Sequence, residues 1–241
     1  MKVEDEIKQD NTDEAVNETM TQSIIRSVIG LSIFAVITAG LIAITQVNTK
    51  DIILEQINIA RSKALLEIVP LSEHNNDMLT DSFWLEATEA LGLGEKSEAF
   101  MAKQDGVPTT IILPVVAPEG YSGPIRLIVG IDTSGKIKGV RVIKHKETPG
   151  LGDKIDLKKS DWILDFEDKS LLNTSTDQWK VKKDGGVFDQ LTGATITPRA
   201  IVKAVHQALV FYREHQVALL STTSEVVLSN QQKALQQTGG Q

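Results

Sequence analysis

The feature that most constrains this chain is an uncharged stretch near its beginning. Residues 27–49 contain no Asp, Glu, Lys or Arg, and the run SVIGLSIFAVITAGLIAITQV is apolar almost throughout. A helix rises about 1.5 Å per residue, so about 20 such residues cross the hydrocarbon core of a bilayer. A cleaved signal peptide would have a basic leader and an A-x-A-like site, and neither is present. The run therefore predicts one uncleaved transmembrane helix in contact with membrane lipid.

The segments around this run do not determine its orientation. Arg26 precedes the run and Lys50 follows it, and a long following domain can cross the membrane regardless of charge. Residues 1–26 carry seven acidic and three basic side chains without an aromatic residue, a composition that predicts a disordered acidic tail. Residues 221–241 are polar and Gln-rich, which predicts a frayed or loosely helical tail.

Composition excludes several kinds of site. The chain has no cysteine, so disulfides, thiolate metal sites, iron-sulfur ligation and cysteine nucleophiles are all excluded. The formal net charge is -7 without a basic face, which disfavours nucleic acid as a partner. His145 and Glu147 share one strand face by spacing, but a single pair is too few ligands for a metal site. We expect no metal site, and no arrangement of catalytic residues is apparent.

After the apolar run the pattern predicts a single α+β domain. Apolar residues at helical spacing predict a helix over residues 51–69, ending before Pro70, and WLEATEALGLG predicts another within residues 77–97 that ends at Gly92 and Gly94. The β-branched runs VPTTIILPVV, IRLIVGIDT and IKGVRVIKH predict strands, with residues 132–135 as a hairpin turn between the last two. Further helices are predicted over residues 158–166 and from Thr197 onward.

The predicted organisation has four parts. These are the acidic tail (1–26), the transmembrane helix (27–49), an α+β domain with a leading helix (50–220) and the polar C-terminal tail (221–241).

Residues 189–198, DQLTGATITP, hold three threonines where one would cap the last helix. Thr197 suits the N-cap position and Pro198 the first helical position. Thr192 and Thr195 flank a Gly-Ala pair, which fits a strand ending in a turn. It also fits a hydroxyl at Thr195 kept clear for another protein's active site or a bound group. The nearby helix N-terminus suits a phosphate.

The same segment resembles the flavinylation motif Asp-x-x-Ser/Thr-Gly-Ala-Thr of FMN-binding domains, with Asp189 first and Thr195 last. The chain resembles the G subunits of Rnf-type ion-translocating electron-transport complexes, also called Rsx. The stretches GYSGPIRLIVGID, HKETPGLGDKI and VKKDGG are similar in the same order. The resemblance covers most of the chain from the membrane run to about Tyr212. It implies a single transmembrane helix followed by an FMN-binding α+β domain.

The resemblance implies that FMN is joined through its phosphate to Thr195. A separate magnesium-dependent flavin transferase would move FMN from FAD to this threonine and release AMP. Asp189 and Thr192 would be recognition residues for that transferase, while Gly193 and Ala194 leave space around the acceptor.

The loop ETPGLG, residues 147–152, has two interpretations. Pro149 and Gly150 form a turn dipeptide that needs no ligand. Beside the flavinylation motif, we favour a flavin-contacting loop in which Thr148, Gly150, Leu151 and Gly152 approach the ring, since glycine permits close approach. The loop is not a dinucleotide fingerprint, because the G-x-G-x-x-G spacing is missing.

The implied function is electron transfer by a membrane-anchored subunit within a complex that couples electron flow, of the ferredoxin and NAD type, to ion translocation. The partners would be the other membrane subunits, with the soluble domain on the periplasmic side of a bacterial inner membrane. We expect no NADH turnover by the isolated chain. The alternatives are a flavin-free anchored interaction subunit, a secreted binding protein cleaved near Gln46, and the related C subunit of sodium-pumping NADH:quinone reductases.

Overall fold

The computed structural model describes residues 2–238, with side chains for residues 25–221 except Asp51 and Leu54. The chain divides into two units, Met1–Ile59 and Ala60–Gln241. Described residues of the first unit belong to one long helix, and the second contains an antiparallel sheet and a second long helix. One N-terminal apolar helix with a mixed helix and sheet domain is the predicted α+β fold class.

Helix α1, Lys2–Ile68, contains the whole uncharged run. Its described large apolar side chains between Ile25 and Ile59 are exposed, as expected for a helix whose solvent is lipid. Within the described residues, Ile25–Ile68 is the one helix that is long and apolar enough to cross a membrane. Length and composition therefore agree with the predicted span.

Helix α1 is longer than the membrane run at both ends. It includes the acidic segment, which differs from the disorder that the composition predicts. Extending a helix needs no new nucleus, and Glu, Lys, Gln and Ala all favour helical backbone. The helix ends at Ile68, before Pro70, as predicted from the bias of a pre-proline residue against helical backbone.

The second unit is built on a five-stranded antiparallel sheet in which each strand pairs with its sequence neighbours. Its strands are β1 (Ser82–Leu85), β2 (Ser97–Gln104), β3 (Val107–Ala117), β4 (Ile125–Asp132) and β5 (Ile137–Lys144). The three strands predicted from β-branched runs are present as β3, β4 and β5. The predicted hairpin turn joins β4 to β5, and Asp132 Oδ1 accepts the N–H groups of Ser134 and Lys136 at 2.8 and 3.0 Å.

The predicted helix within residues 77–97 is wrong. Ser82–Leu85 forms the edge strand β1, and only Glu89–Leu91 makes a short 3-10 turn. Strand β1 pairs with β2, a strand that the sequence pattern did not predict. Phe83 and Leu91 are buried in the core, so packing against the sheet overrides the local helical preference.

Gly92 ends the 3-10 turn in left-handed backbone with φ of 66°, and a Cβ added there would lie 2.2 Å from the carbonyl oxygen of Val116. Gly106 has φ of 79° with open space around its Cβ position. We expect Gly106→Ala to lose about 1–2 kcal/mol from backbone strain alone. Gly92→Ala should lose about 1–3 kcal/mol more, because the strand must move. Urea unfolding followed by tryptophan fluorescence measures both, and equal losses would contradict this account.

Helix α2, Ile196–Thr238, packs against β3 and β4 on one face of the sheet. Its predicted apolar stripe is buried, including Ile201, Val205 and Tyr212. The helix predicted over residues 158–166 is a shorter 3-10 helix, Asp161–Phe166, beside β5. Helix α2 also continues through the described part of the Gln-rich tail, which was predicted to be frayed or loosely helical.

The other face of the sheet packs against the end of α1. Leu65 and Ile68 share an apolar cluster with Phe100, Ile112 and Ile128, which alternate along their strands with residues of the larger core. Arg141 of β5 is buried there, donating to the Glu67 carbonyl oxygen at 2.9 Å and to its carboxylate at 3.2 Å. The arginine thus satisfies a carbonyl that the end of a helix leaves without an intrahelical partner.

Candidate functional site

One cavity in the second unit brings two loops together with the beginning of α2. Its volume is about 280 Å³. The residues that line it are Tyr121, Glu147, Thr148, Leu151, Gly152, Gly193, Ala194, Thr195, Ile196 and Thr197. Six predicted site residues are therefore adjacent in space, whereas Thr192 and Gly150 do not line the cavity.

The first loop follows β5 and is held together by hydrogen bonds to a single carbonyl group. The Thr148 oxygen accepts the N–H groups of Leu151, Gly152 and Asp153 at 3.2, 3.0 and 3.3 Å. Gly150 has φ of 78°, and a Cβ there would meet open space. Its role in the structure is to make the turn, whereas Leu151 and Gly152 face the cavity.

The second loop holds the Gly-Ala pair against the first. Ala194 N–H donates to the Leu191 carbonyl oxygen at 3.0 Å, which closes a tight turn. Gly193 occupies left-handed backbone with φ of 83°, and a Cβ there would lie 2.7 Å from Cδ2 of Leu151. Glycine at this position therefore allows both the turn and the contact between the loops.

Thr195 lies immediately before the first residue of α2 and is exposed. Within the described residues its hydroxyl forms no hydrogen bond, so it is available to a bound group. The prediction that Thr197 is the N-cap is wrong, because the helix begins at Ile196 and Thr197 lies in its first turn, fully buried. Pro198 is tolerated in that turn, where the missing N–H has no intrahelical acceptor.

The buried Thr197 hydroxyl binds a residue that the sequence did not assign to this site. It donates to Oε2 of Glu147 at 2.5 Å. The Ser122 N–H donates to Oε1 of the same carboxylate at 3.0 Å. Glu147 thus joins the loop before β4, the loop after β5 and the beginning of α2. The two partners are 25 and 50 residues away in the sequence, so no local signal indicates the network.

Asp189 lies on the surface and is not among the residues that line the cavity. Its carboxylate pairs with Lys182 Nζ at 2.6 Å, and the two side chains are 58% and 59% exposed. Its carbonyl oxygen accepts the Trp162 indole N–H at 2.6 Å. Burial, and then the charge of Asp189, raises the pKa of Asp165. The motif therefore begins at a residue with a fixed backbone and an accessible carboxylate.

The pair considered for metal binding has other partners. His145 Nδ1 accepts the Glu147 N–H at 3.0 Å, and its Nε2 lies 3.1 Å from Asp156 Oδ2. In the part of the chain that the structure describes, no group of three or more His, Cys, Asp or Glu side chains is placed to hold a metal ion.

A second depression, of about 330 Å³, lies between Arg61 and the sheet, and its lining includes Trp84, Phe100 and Ile128. It contains no residue predicted for the site. We take the smaller cavity as the candidate site, because two loops and a helix N-terminus converge there with an exposed hydroxyl.

The cavity suits a phosphate-bearing group with an apolar ring. The first N–H groups of α2 have no intrahelical acceptor, and the positive end of the helix dipole favours an anion. Tyr121, Leu151 and Ile196 present partly exposed apolar surface around Thr195. Pockets that enclose drug-sized ligands measure about 300–1,000 Å³. A phosphate-bearing ring compound bound at this smaller cavity would therefore remain partly exposed.

Two family models match the chain. Residues 120–210 match the FMN-binding domain, a range that contains both loops and Thr195, and residues 20–68 match the RnfG N-terminal region.

Curated relatives share one description, that of the G subunit of an ion-translocating oxidoreductase complex. The protein from Vibrio vulnificus is 47% identical over 84% of this chain and 95% of its own length. The protein from Shewanella amazonensis is 46% identical over 82% of this chain and 92% of its own length. The protein from Pseudomonas aeruginosa PAO1 is 44% identical over 83% of this chain and 94% of its own length. The crystal structure of Shewanella oneidensis NqrC is 22% identical, covering 54% of this chain and 66% of that one with a TM-score of 0.38. The identity to these curated relatives shows that the chain belongs to the family of G subunits of ion-translocating oxidoreductase complexes.

Proposed function

We propose that this protein carries FMN, joined through its phosphate to Thr195, as the electron-transferring G subunit of a membrane complex. One observation carries the proposal. Thr195 offers an exposed, unbonded hydroxyl at the N-terminus of α2, on a cavity that lies within the FMN-binding match. Thr148, Leu151 and Gly152 would contact the cofactor from the opposite loop, with Gly150 forming its turn.

Attachment requires a second protein. A threonine hydroxyl is a weak nucleophile that needs a base or a metal ion, and the described residues offer no cluster for a metal ion. We propose a magnesium-dependent flavin transferase acting on FAD. The bond from Thr195 Oγ to the FMN phosphorus forms as the pyrophosphate bond of FAD breaks. AMP leaves, and the hydroxyl proton passes to the transferase.

The residues of the flavinylation motif would then have different roles in recognition and attachment. Asp189 and Thr192 are both exposed, so the transferase can reach them without unfolding the domain. Gly193 and Ala194 add little bulk beside the acceptor. Asp189 and Thr192 therefore serve recognition, and Thr195 is the modified residue.

The flavin supplies the redox chemistry, while the chain positions it and sets its electrostatic surroundings. Residues 50–220 would form the cofactor domain on the periplasmic side of a bacterial inner membrane, anchored by the transmembrane helix (27–49) between the two tails. Partner membrane subunits would supply and accept electrons, of the ferredoxin and NAD type, and couple them to ion translocation. A covalent tether prevents loss of the carrier by dissociation.

The test is flavin attachment to the full-length wild-type protein, expressed with and without the transferase. We expect fluorescence that survives denaturing electrophoresis only when the transferase is present. Intact mass should rise by one FMN less one water. A dark, unmodified protein beside a second substrate that the same transferase does modify would reject the proposal and favour a flavin-free interaction subunit.

A further inference from the structure

Glu147 is a buried carboxylate in the wall of the candidate site. It is 4% exposed and lines the same cavity as Thr195. Both of its oxygens accept hydrogen bonds, from the Ser122 N–H and the Thr197 hydroxyl. Among residues 25–221, no Lys, Arg or His side chain forms an ion pair with it.

A buried charge without an ionic partner is expected to lower the stability of the fold. Taking a carboxylate out of water is costly, and two hydrogen bonds with the nearby end of a helix dipole offset only part of that cost. A neutral side chain of similar size would tie the loops together with a smaller desolvation cost. The carboxylate therefore calls for a role that depends on its charge.

Two glycines leave room for this carboxylate. A Cβ at Gly152 would lie 2.9 Å from Glu147 Oε2, and one at Gly120 would lie 3.0 Å from Oε1. The carboxylate thus lies in a space that larger residues would close. The carboxylate is in the wall of the cavity and is bonded to the first turn of α2.

We infer that Glu147 lowers the reduction potential of the flavin held at Thr195, an inference that rests on the proposed function. Reduction adds two electrons to a flavin, and the charge becomes more negative when fewer than two protons follow them. A buried negative charge on the same cavity disfavours that change, because the interior screens charge weakly. Glu147 is thus a positioning residue for the loops and an electrostatic determinant of the potential.

The test is a spectroelectrochemical titration of the full-length flavinylated protein in detergent. Glu147→Gln keeps the shape and removes the charge, so we expect a midpoint potential higher than that of wild type. Glu119→Gln makes the same change in net charge at a side chain that is 64% exposed and paired with Lys203. Solvent screens that site, so its potential should equal that of wild type.

Two further variants keep the result decisive. Glu147→Asp retains the charge and should return the potential toward wild type, while Glu147→Met is a second neutral variant if Gln fails to fold. An unchanged potential in a folded neutral variant would overturn the inference, and so would failure of both neutral variants to fold, since the carboxylate would then be structural. Absence of covalent flavin from wild type would instead reject the proposed function itself.

Discussion

Thr195→Ala should abolish covalent flavin attachment and leave the fold intact. Thr195 is exposed, and the hydroxyl that would form the phosphoester forms no hydrogen bond within the described residues, so its loss breaks no hydrogen bond. Surface substitutions of this kind change the free energy of unfolding by within about 0.5 kcal/mol. Fluorescence on a denaturing gel and intact mass, after coexpression with the transferase, should both show complete loss of the modification.

A matched control is available three residues earlier. Thr192 is also exposed, and the motif accepts serine or threonine at this position, so Thr192→Ser should be flavinylated like wild type. Persistent covalent flavin in Thr195→Ala would contradict the assignment of the acceptor. Peptide mass mapping would then identify which other hydroxyl carries the flavin.

Features that depend on local sequence could be predicted. The uncharged run could be recognised as a helix from the sequence alone, because about 20 consecutive apolar residues are the length of a membrane-spanning helix. The strands β3 to β5 and their hairpin follow from β-branched runs around an Asp-Thr-Ser-Gly turn. The Gly-Ala pair beside Thr195 likewise marks a turn with little bulk.

Features that depend on distant partners could not be predicted. The segment around Trp84 has helical propensity, yet it becomes an edge strand because it can pair with β2 and bury Phe83. Thr197 has the composition of an N-cap, but its hydroxyl finds Glu147, 50 residues earlier. Such contacts arise only when the sheet brings the loops together.

The ion pairs near the site could not be predicted from the sequence either. Lys182 and Asp189 are seven residues apart and form an ion pair. The hydrogen bond that Lys182 donates to Asp189, followed by the charge of Asp189, raises the pKa of Lys182. The stretch VKKDGG contains two adjacent lysines, and the sequence does not indicate which of them forms an ion pair with Asp189. The structure selects Lys182, which places a cation beside the first residue of the flavinylation motif.

Asp189→Ala should strongly slow flavin attachment without unfolding the domain. The carboxylate is 58% exposed and its one ion pair, with Lys182, is equally exposed, so solvent already screens what it contributes to stability. The Trp162 indole binds the Asp189 backbone carbonyl rather than its side chain, so the substitution keeps that contact. We expect the transferase to modify Asp189→Ala at least tenfold more slowly, at an unchanged unfolding temperature.

Asp184→Ala tests whether the transferase recognises Asp189 itself or responds to general surface charge. Asp184 is a neighbouring carboxylate outside the motif, and Arg199 binds it through two hydrogen bonds at 2.6 and 2.8 Å. Those hydrogen bonds are the largest cause that lowers the pKa of Asp184, so this carboxylate is at least as engaged as that of Asp189. Its removal changes the net charge equally and should leave the flavinylation rate unchanged. Equal slowing in both variants would show that the transferase responds to general surface charge, whereas slowing confined to Asp189→Ala assigns recognition to the motif.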